Sequence, residues 1–366
     1  MPLPLLQSLR TSKFVRRLLP TSYVGVDIGT TTIKMVEMLR EGNQFRLRNY
    51  GMLESFGHLS RMSGVIQSAS MKLVDTETVE LLRVLLKRVK PSSKIAIASL
   101  PNFSGFMTLL ELPEMHPDEL TQAIGFQARE HIPLPLEEAF IDWSSVGTVS
   151  DGNLTKQLIL LIAVPMDAVH NYQTIFNEVG LKLIAVELDS VSLVRAAIQN
   201  DPTPTVIADI GSQTTTVIVA DQGFLRLTFN SETAGSDLTT SISNSLTLGP
   251  RRSEEMKKTR GLVNRSGEEE LSTLMLPLID VIINEVRRGI ETYEEKYKTK
   301  VERVMLAGGT ANLPNIEEYF SSQLRLPVVK INPFGHMSYP TELAPITKEL
   351  GPLLSVSIGL AMKDNL

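Results

Sequence analysis

Residues 23–37 read YVGVDIGTTTIKMVE. Val24, Gly25, Val26 and Ile28 are small or apolar and flank a single acid, Asp27, at the point where a buried strand meets a turn. Gly29 follows, and a glycine there lets the backbone turn sharply and come close to a ligand. The hydroxyls and amide N–H groups of Thr30, Thr31 and Thr32 can then bond phosphate oxygens, with Lys34 supplying a positive charge. Asp27 stands where a hydrated Mg²⁺ needs an anionic ligand, direct or through water. Alone, a strand followed by a Gly-Thr hairpin is equally compatible with an ordinary structural turn.

A second copy changes the reading. Residues 206–219, VIADIGSQTTTVIV, again run from an apolar strand through Asp209 and Gly211 to a polar turn with Gln213 and Thr214, then to another apolar strand. Two such hairpins far apart in one chain predict a duplicated α/β core whose phosphate loops face each other. A third stretch, 304–314 (VMLAGGTANLP), is an apolar strand ending in Gly308-Gly309-Thr310 before a helix start. Paired glycines there let a flat adenine lie against the backbone. The three stretches in this order resemble the phosphate 1, phosphate 2 and adenosine motifs of the actin, hexokinase and 70-kDa heat-shock nucleotide-binding fold.

A chain of 366 residues has material for two or more domains, and 42% hydrophobic with 21% charged residues is the balance of a soluble globular protein. The net charge of −5 argues against an extended nucleic-acid surface. With no cysteine there are no disulfides, no thiolate catalysis and no Cys-ligated metal, which fits a reducing compartment. His58, His116, His131, His170 and His336 show no metal-ligand spacing. Apolar runs such as Leu158–Val164 are too short to span a bilayer.

Residues 1–22 contain no acid but carry Arg10, Lys13, Arg16 and Arg17, which fall opposite Phe14, Val15, Leu18 and Leu19 on a helical wheel. Such an arm suits an anionic lipid surface; it equally suits a helix packed on the body. After the first hairpin a meander strand ends near Met52, a helix spans Thr76–Val89 and a strand Lys94–Leu100. From about 102 an insertion follows, with strand Phe106–Leu112, helix Pro117–His131, strands Ala139–Val146 and Gln157–Val164, and helix Asp167–Val179. It reads as a small α+β subdomain. Beyond Pro202–Pro204, helix Leu238–Leu246 follows Gly235, the charged stretch 250–271 reads as surface, helix Pro277–Tyr297 carries its proline in the first turn, and the chain closes with a helix from about Gly351 to Met362. Glu254 and Lys257, three apart on one helix face, can reach a ribose and an adenine, or form a solvated ion pair.

The insertion carries a narrower resemblance. Besides GVDIGTTTIKMVE, the stretches ELPEMHPDELTQAIGFQAREHIPLPLEEAFIDW, FNEVGLKLIAVELDSVSLVRA, VIADIGSQTTTVIVADQG, GSDLTTSI and LAGGTANLPNIEEYF resemble the type IV pilus assembly family PilM over nearly the whole chain. The cell-division protein FtsA, which shares the inserted subdomain 1C, resembles it less; its members usually carry a C-terminal amphipathic membrane helix, and only Lys363–Leu366 follow the last apolar helix here. The resemblance implies an actin-like, ribonuclease H-like duplicated core: an arm at 1–22, subdomain 1A at 23–101, inserted 1C at 102–181, a return to 1A at 182–201, and a second core at 202–366 with 2B at about 238–300. It implies ATP and Mg²⁺ in the central cleft, with Asp27, Gly29, Thr30, Thr31 and Lys34 at phosphate 1, Asp209, Gly211, Gln213 and Thr214 at phosphate 2, Gly235 on the following loop, Glu254 and Lys257 at the nucleoside, Gly308, Gly309 and Thr310 at the adenosine loop, and Asp27 and Asp209 on the metal. Asn315 stands where many relatives have a glycine. The implied partners are the N-terminal cytoplasmic tail of PilN, in a groove between 1A and 1C, pilus motor or platform components, a second copy of the chain, and the cytoplasmic face of the inner membrane as a peripheral contact. The implied role is an ATP-binding scaffold with slow hydrolysis at most. The competing readings are an FtsA-type filament protein and a metabolic kinase of the same fold; a kinase needs a substrate pocket and a poised base, and no further acid–arginine constellation offers one.

Overall fold

The computed structural model describes residues 22–42, 44–54, 71–151, 154–199, 201–262 and 269–363. The basic arm with Arg10, Lys13, Arg16 and Arg17 lies outside them. The first hairpin is β1 (Ser22–Ile28) and β2 (Thr32–Glu41), continued antiparallel by β3 (Gln44–Glu54). Helix α1 (Met71–Val89) leads to β4 (Ile95–Leu100), which lies parallel beside β1. The chain then leaves this sheet through β5 (Phe106–Pro113), α2 (Pro117–His131), β6 (Ala139–Asp151) and β7 (Leu154–Pro165), and returns through α3 (Met166–Glu178) to β8 (Lys182–Leu188), parallel to β4. The sheet order is β3-β2-β1-β4-β8.

Helix α4 (Asp189–Ala197) carries the chain to the second half, where the same sheet is built again. Its strands are β9 (Thr205–Ile210), β10 (Thr215–Asp221) and β11 (Phe224–Ser231), then, after α5 (Gly235–Leu246), α6 (Pro250–Arg260) and α7 (Glu269–Tyr297), β12 (Arg303–Ala307) and, after α8 (Ile316–Leu324), β13 (Val328–Lys330). The order β11-β10-β9-β12-β13, antiparallel through the first three strands and parallel thereafter, repeats the first sheet strand for strand. Central strands of such sheets are covered on both faces and read as continuous apolar runs; Val24, Val26, Val206, Ile207 and Ala208 are fully buried.

The inserted strands form a three-stranded antiparallel sheet, β5-β7-β6. Alternation along β7 serves two cores: Ile159, Leu161 and Ala163 pack with Leu120, Ile124 and Ala128 of α2, whereas Leu158 and Leu160 join a cluster with Leu225, Ile207 and Ile218 of the second half. The helix read from sequence as the insertion's last element, α3, belongs elsewhere. Its Ile175 and Phe176 pack with Val24, Val26 and Leu82 in the first core, so the subdomain is closed by β7 and α3 is the crossover between two parallel strands.

The final helix, α9 (Thr347–Ala361), packs on the first half although it follows the second sheet in the chain: Leu354 and Ile358 join Val36 and Met38 of β2. Its backbone comes so close to β1 that a side chain at Gly25 would stand 2.0 Å from the Ser357 carbonyl, and one at Gly359 would stand 1.9 Å from that of Ser192 on α4. Two helices start earlier than the sequence reading put them, so that Pro277, read as a helix start, and Pro352, beside the start read at about Gly351, both sit inside their helices. Leu271 and Met275, ahead of Pro277, are buried in the second core, and Leu350, ahead of Pro352, is buried against the first; this apolar packing extends α7 back to Glu269 and α9 back to Thr347. Glu37 is fully buried on β2, yet accepts hydrogen bonds from Ser22 Oγ (3.2 Å), Asn49 Nδ2 (2.6 Å) and the backbone N–H groups of Ser92 (3.0 Å) and Ser93 (2.9 Å). Among the described residues no helix is long and apolar enough to cross a membrane.

Candidate functional site: a cleft between two copies of one hairpin

Both hairpins close with the same turn. The Gly29 N–H bonds the Thr32 carbonyl at 3.1 Å, and the Gly211 N–H bonds the Thr214 carbonyl at 3.0 Å. On the first, strand register sets Lys34 directly across from Asp27, and the ammonium donates to Asp27 Oδ2 at 3.0 Å while Ser99 Oγ of β4 donates to Oδ1 at 2.8 Å. On the second, the partner across from Asp209 is Thr216, so that copy has no lysine of its own.

The two halves therefore share one cation. Burial alone lowers the affinity of Lys34 for its proton, but the charges of Asp27, then of Asp209 and Asp189, outweigh it and hold the ammonium above its usual range. Burial pushes Asp209 up to about 6, Lys34 opposing and Asp27 adding to the rise. Asp189, first residue of α4, is raised well above its ordinary value by burial and then by the charges of Asp209 and Asp27, against hydrogen bonds from the backbone of Ser190 and Asn102. Three carboxylates, two from the paired sheets and one from the start of α4, thus converge on one lysine, an arrangement suited to a ligand that brings its own cation.

The third motif closes the floor. Gly308 takes φ +83° and ψ 175°, and a side chain there would stand 2.4 Å from the Ile210 carbonyl and 2.6 Å from Asp209 Oδ1. Gly235 bonds through its N–H to the Gly211 carbonyl at 3.0 Å, and a side chain on it would meet Thr310 Oγ1 at 2.5 Å and lie 3.5 Å from Lys257 Nζ. Gly211, Gly235, Lys257 and Thr310 are consequently one cluster, although they come from four separate segments.

Helix α6 differs from the surface stretch read in the sequence. Lys257 is buried, and its ammonium donates to the Gly235 carbonyl at 2.8 Å and Thr239 Oγ1 at 2.9 Å, and pairs with Glu254 Oε2 at 2.6 Å. Burial depresses Lys257; Glu254, which burial would raise, is held low by Lys257 and by the hydroxyl of Thr239. The ion pair read as solvated is thus made but largely desolvated, and it fastens α6 to the N-terminus of α5. At the outer end of α6, Lys258 Nζ reaches Glu54 Oε1 at 3.3 Å, at the end of β3, joining the halves across the cleft mouth. Gln213 sits on the second turn, and its Oε1 is buried. Asn315, in place of a glycine, adopts φ +65° at the N-terminus of α8, a conformation asparagine tolerates better than most residues.

Asp189, Ser99 and Asn102 are absent from the sequence reading. The signal for Asp189 was partial: in VELDS (186–190) an acid again stands at the end of a strand, but without the glycine turn that follows Asp27 and Asp209. Among the described residues no group of three acids or histidines forms a ready-made metal cage. Oxygen donors from Asp27 and Asp209, one from each half, fit a Mg²⁺ that keeps several waters and takes phosphate oxygens for the rest.

The family model for the type IV pilus assembly protein PilM matches residues 25–365. The chain belongs to the PilM family. A solved PilM-PilN type IV pilus biogenesis complex superposes with a TM-score of 0.77 at 20% identity, covering 93% of this chain and 97% of that one. Ethanolamine utilization protein EutJ from Carboxydothermus hydrogenoformans follows with 0.52 at 18% identity (94% and 90% covered), and MreB5 of Spiroplasma citri bound to ADP with 0.50 at 14% (92% and 94%). The PilM membership and the actin-like fold read from the motifs are borne out.

Proposed function

We propose that this PilM-family protein is a cytoplasmic scaffold of the type IV pilus inner-membrane platform, which takes Mg-ATP between its halves and the N-terminal tail of PilN in a groove between 1A and 1C. The observation that carries the nucleotide reading is the convergence of Asp27 and Asp209 on one shared Lys34, beside Gly308 and the cluster of Gly235 with Thr310. The turn N–H groups and threonine hydroxyls of both hairpins bind and orient the phosphates, Lys34 and Mg²⁺ neutralise them, and Gly308 and Gly309 leave room for the nucleoside. The similar MreB5 structure is bound to ADP. Bound Mg²⁺ supplies charge for the phosphates and for the carboxylates, which together would otherwise repel. Hydrolysis is slow on this reading, because no residue near the second turn is an obvious base and Gln213 can at most orient a water.

The PilN assignment is supported by the solved PilM-PilN complex, one chain of which matches 93% of this chain. A labelled peptide of the PilN tail, titrated into the full chain and followed by fluorescence anisotropy, is expected to bind saturably. Deleting residues 1–19 should leave that affinity unchanged and weaken co-sedimentation with anionic liposomes at low salt, since each of the arm's four cations adds about 1 kcal/mol near such a surface. Peptide binding that disappears with the arm would place those residues in the folded body and end the lipid role.

A further inference from the structure

The cleft lies where β1 and β9 finish. At the opposite end of the first sheet, where β1, β4 and β8 begin, cations gather. Strand register sets Lys94, just ahead of β4, beside Lys182, the first residue of β8, and the Lys182 N–H bonds the Lys94 carbonyl at 2.7 Å. Helix α1 runs to the same end and closes with Lys87 and Arg88, followed by Lys90. Buried Glu37 fixes the link from α1 to β4 through the N–H groups of Ser92 and Ser93, and Ser93 Oγ ties it to the Ser22 carbonyl at 2.8 Å. Lys87, Arg88, Lys90, Lys94 and Lys182 are all exposed, and among the described residues no ion pair engages them; the exposed acids at these ends, Glu41 and Glu178, pair with Arg46 and Arg83. From Leu81 to Leu110 the chain holds no acid, in a protein whose net charge is −5. The second sheet repeats the first strand for strand, yet its equivalent end is balanced: Arg303 pairs with Asp201, Arg226 with Asp221 and Lys300 with Glu294. The fold is therefore built without such an excess, and the excess asks for a partner.

We infer that this end of the first half is a docking face for an anionic membrane surface. Clustered lysines and arginines are drawn to anionic headgroups and need no pocket to hold them. The arm favours lipid over an acidic protein segment: the chain that carries Arg10, Lys13, Arg16 and Arg17 enters the body at Ser22, on the same face. Five strands abreast at about 4.8 Å make an edge roughly 20 Å wide, broader than one extended peptide covers. Val84, one turn ahead of Lys87 and Arg88 on α1, is 39% exposed and adds an apolar contact beside the cations. With this face down, the length of β1 keeps the cleft about 20 Å from the headgroups and open to its ligand. The inference deepens the membrane reading of the arm but gives the folded body a contact of its own, so either can fail without the other.

The test separates face from arm. Vesicles of phosphatidylcholine, with and without phosphatidylglycerol, are co-sedimented with the full chain and with the chain lacking residues 1–19. Both are also prepared with Lys90→Gln, Lys94→Gln and Lys182→Gln together. The arm-deleted chain is expected to keep a salt-sensitive affinity for the anionic vesicles. The triple replacement should weaken that affinity about fivefold per cation, roughly 100-fold in all, a factor of five being about 1 kcal/mol. Melting temperature should not change, because all three side chains are exposed. An arm-deleted chain that no longer binds anionic vesicles, or a triple replacement that binds them as its parent does, overturns the inference and leaves the arm's contact standing. Equal binding to phosphatidylcholine alone overturns it too, since charge then plays no part. Affinity for soluble poly-glutamate, lost in the triple replacement, with none for vesicles would make the face a site for an acidic protein segment and end the membrane assignment.

Discussion

Gly308→Ala is expected to destabilise the fold by about 3 kcal/mol and to remove nucleotide binding, whereas Gly309→Ala, one residue on, should leave the stability of the fold unchanged. Gly308 lies at φ +83° and ψ 175°, a region that only glycine occupies readily, at a penalty of roughly 1–3 kcal/mol for other residues. A methyl group adds contacts of 2.4 Å to the Ile210 carbonyl, which is backbone and cannot turn aside, and of 2.6 Å to Asp209 Oδ1, the end of a side chain. Relief requires β9 and the loop after β12 to separate, which moves Asp209 away from Lys34. At Gly309 the same methyl meets nothing closer than Leu353 at 3.8 Å. Chemical denaturation and ATP titration of both variants read the two effects. Equal behaviour of the pair would mean that the backbone at the third motif is not held against the second hairpin.

The second large effect lies behind the site. Glu187 of β8 is buried, bonded by Arg195 Nη1 at 2.9 Å and Nη2 at 3.0 Å and by the ammonium of Lys363 at the end of α9; Arg195 Nη1 also donates to the Gly359 carbonyl at 2.7 Å. Burial alone would raise this carboxyl, but Arg195 and then Lys363 bring it down to about 2. Arg195→Ala strips both hydrogen bonds and leaves the carboxylate with Lys363 alone, which should cost roughly 3 kcal/mol by the measure of broken buried pairs. The sign in pH follows from linkage: between about 2 and 4.5 the unfolded chain holds the Glu187 proton and the folded one does not, so this stabilisation is complete above 4.5 and is lost as pH falls toward 2. Asp209 works the other way, because its folded value of about 6 lies above 3.8, and its contribution declines as pH rises through that interval. Denaturant unfolding between pH 3 and 7 should show the acid-side loss in the wild type and a much flatter acid limb in Arg195→Ala. An unchanged limb would mean that the pair is hydrated in solution.

The parts legible in the sequence were those written locally. The hairpins at Asp27 and Asp209 announce themselves by an apolar run, an acid and a glycine turn within a few residues, and α2 was bounded correctly by Pro117 and His131. Residues whose role depends on distant chain were not legible. Lys257 looks like a surface cation until Gly235 and Thr239 are brought to it. The last helix is apolar on most sides, which says that it is buried but not that it returns to β1 and β2. The strand read as Ala139–Val146 runs on to Asp151, through a bulge between Ser145 and Thr148 where Gly147 takes φ +117°. Asn102 left no trace, since its Oδ1 accepts from Ser190 Oγ, 88 residues away.

The most direct test of the central claim is the thermal unfolding of the full chain with and without Mg-ATP. A ligand held by both hairpins binds the folded state alone, and at one hundred times its Kd stabilises that state by about 2.7 kcal/mol, which for a chain of this size is a rise of several degrees, about 2–4 °C per kcal/mol. The rise should be absent in Asp27→Ala and in Gly308→Asp. A wild-type melting curve that does not move in millimolar Mg-ATP would contradict the assignment of this cleft to a nucleotide.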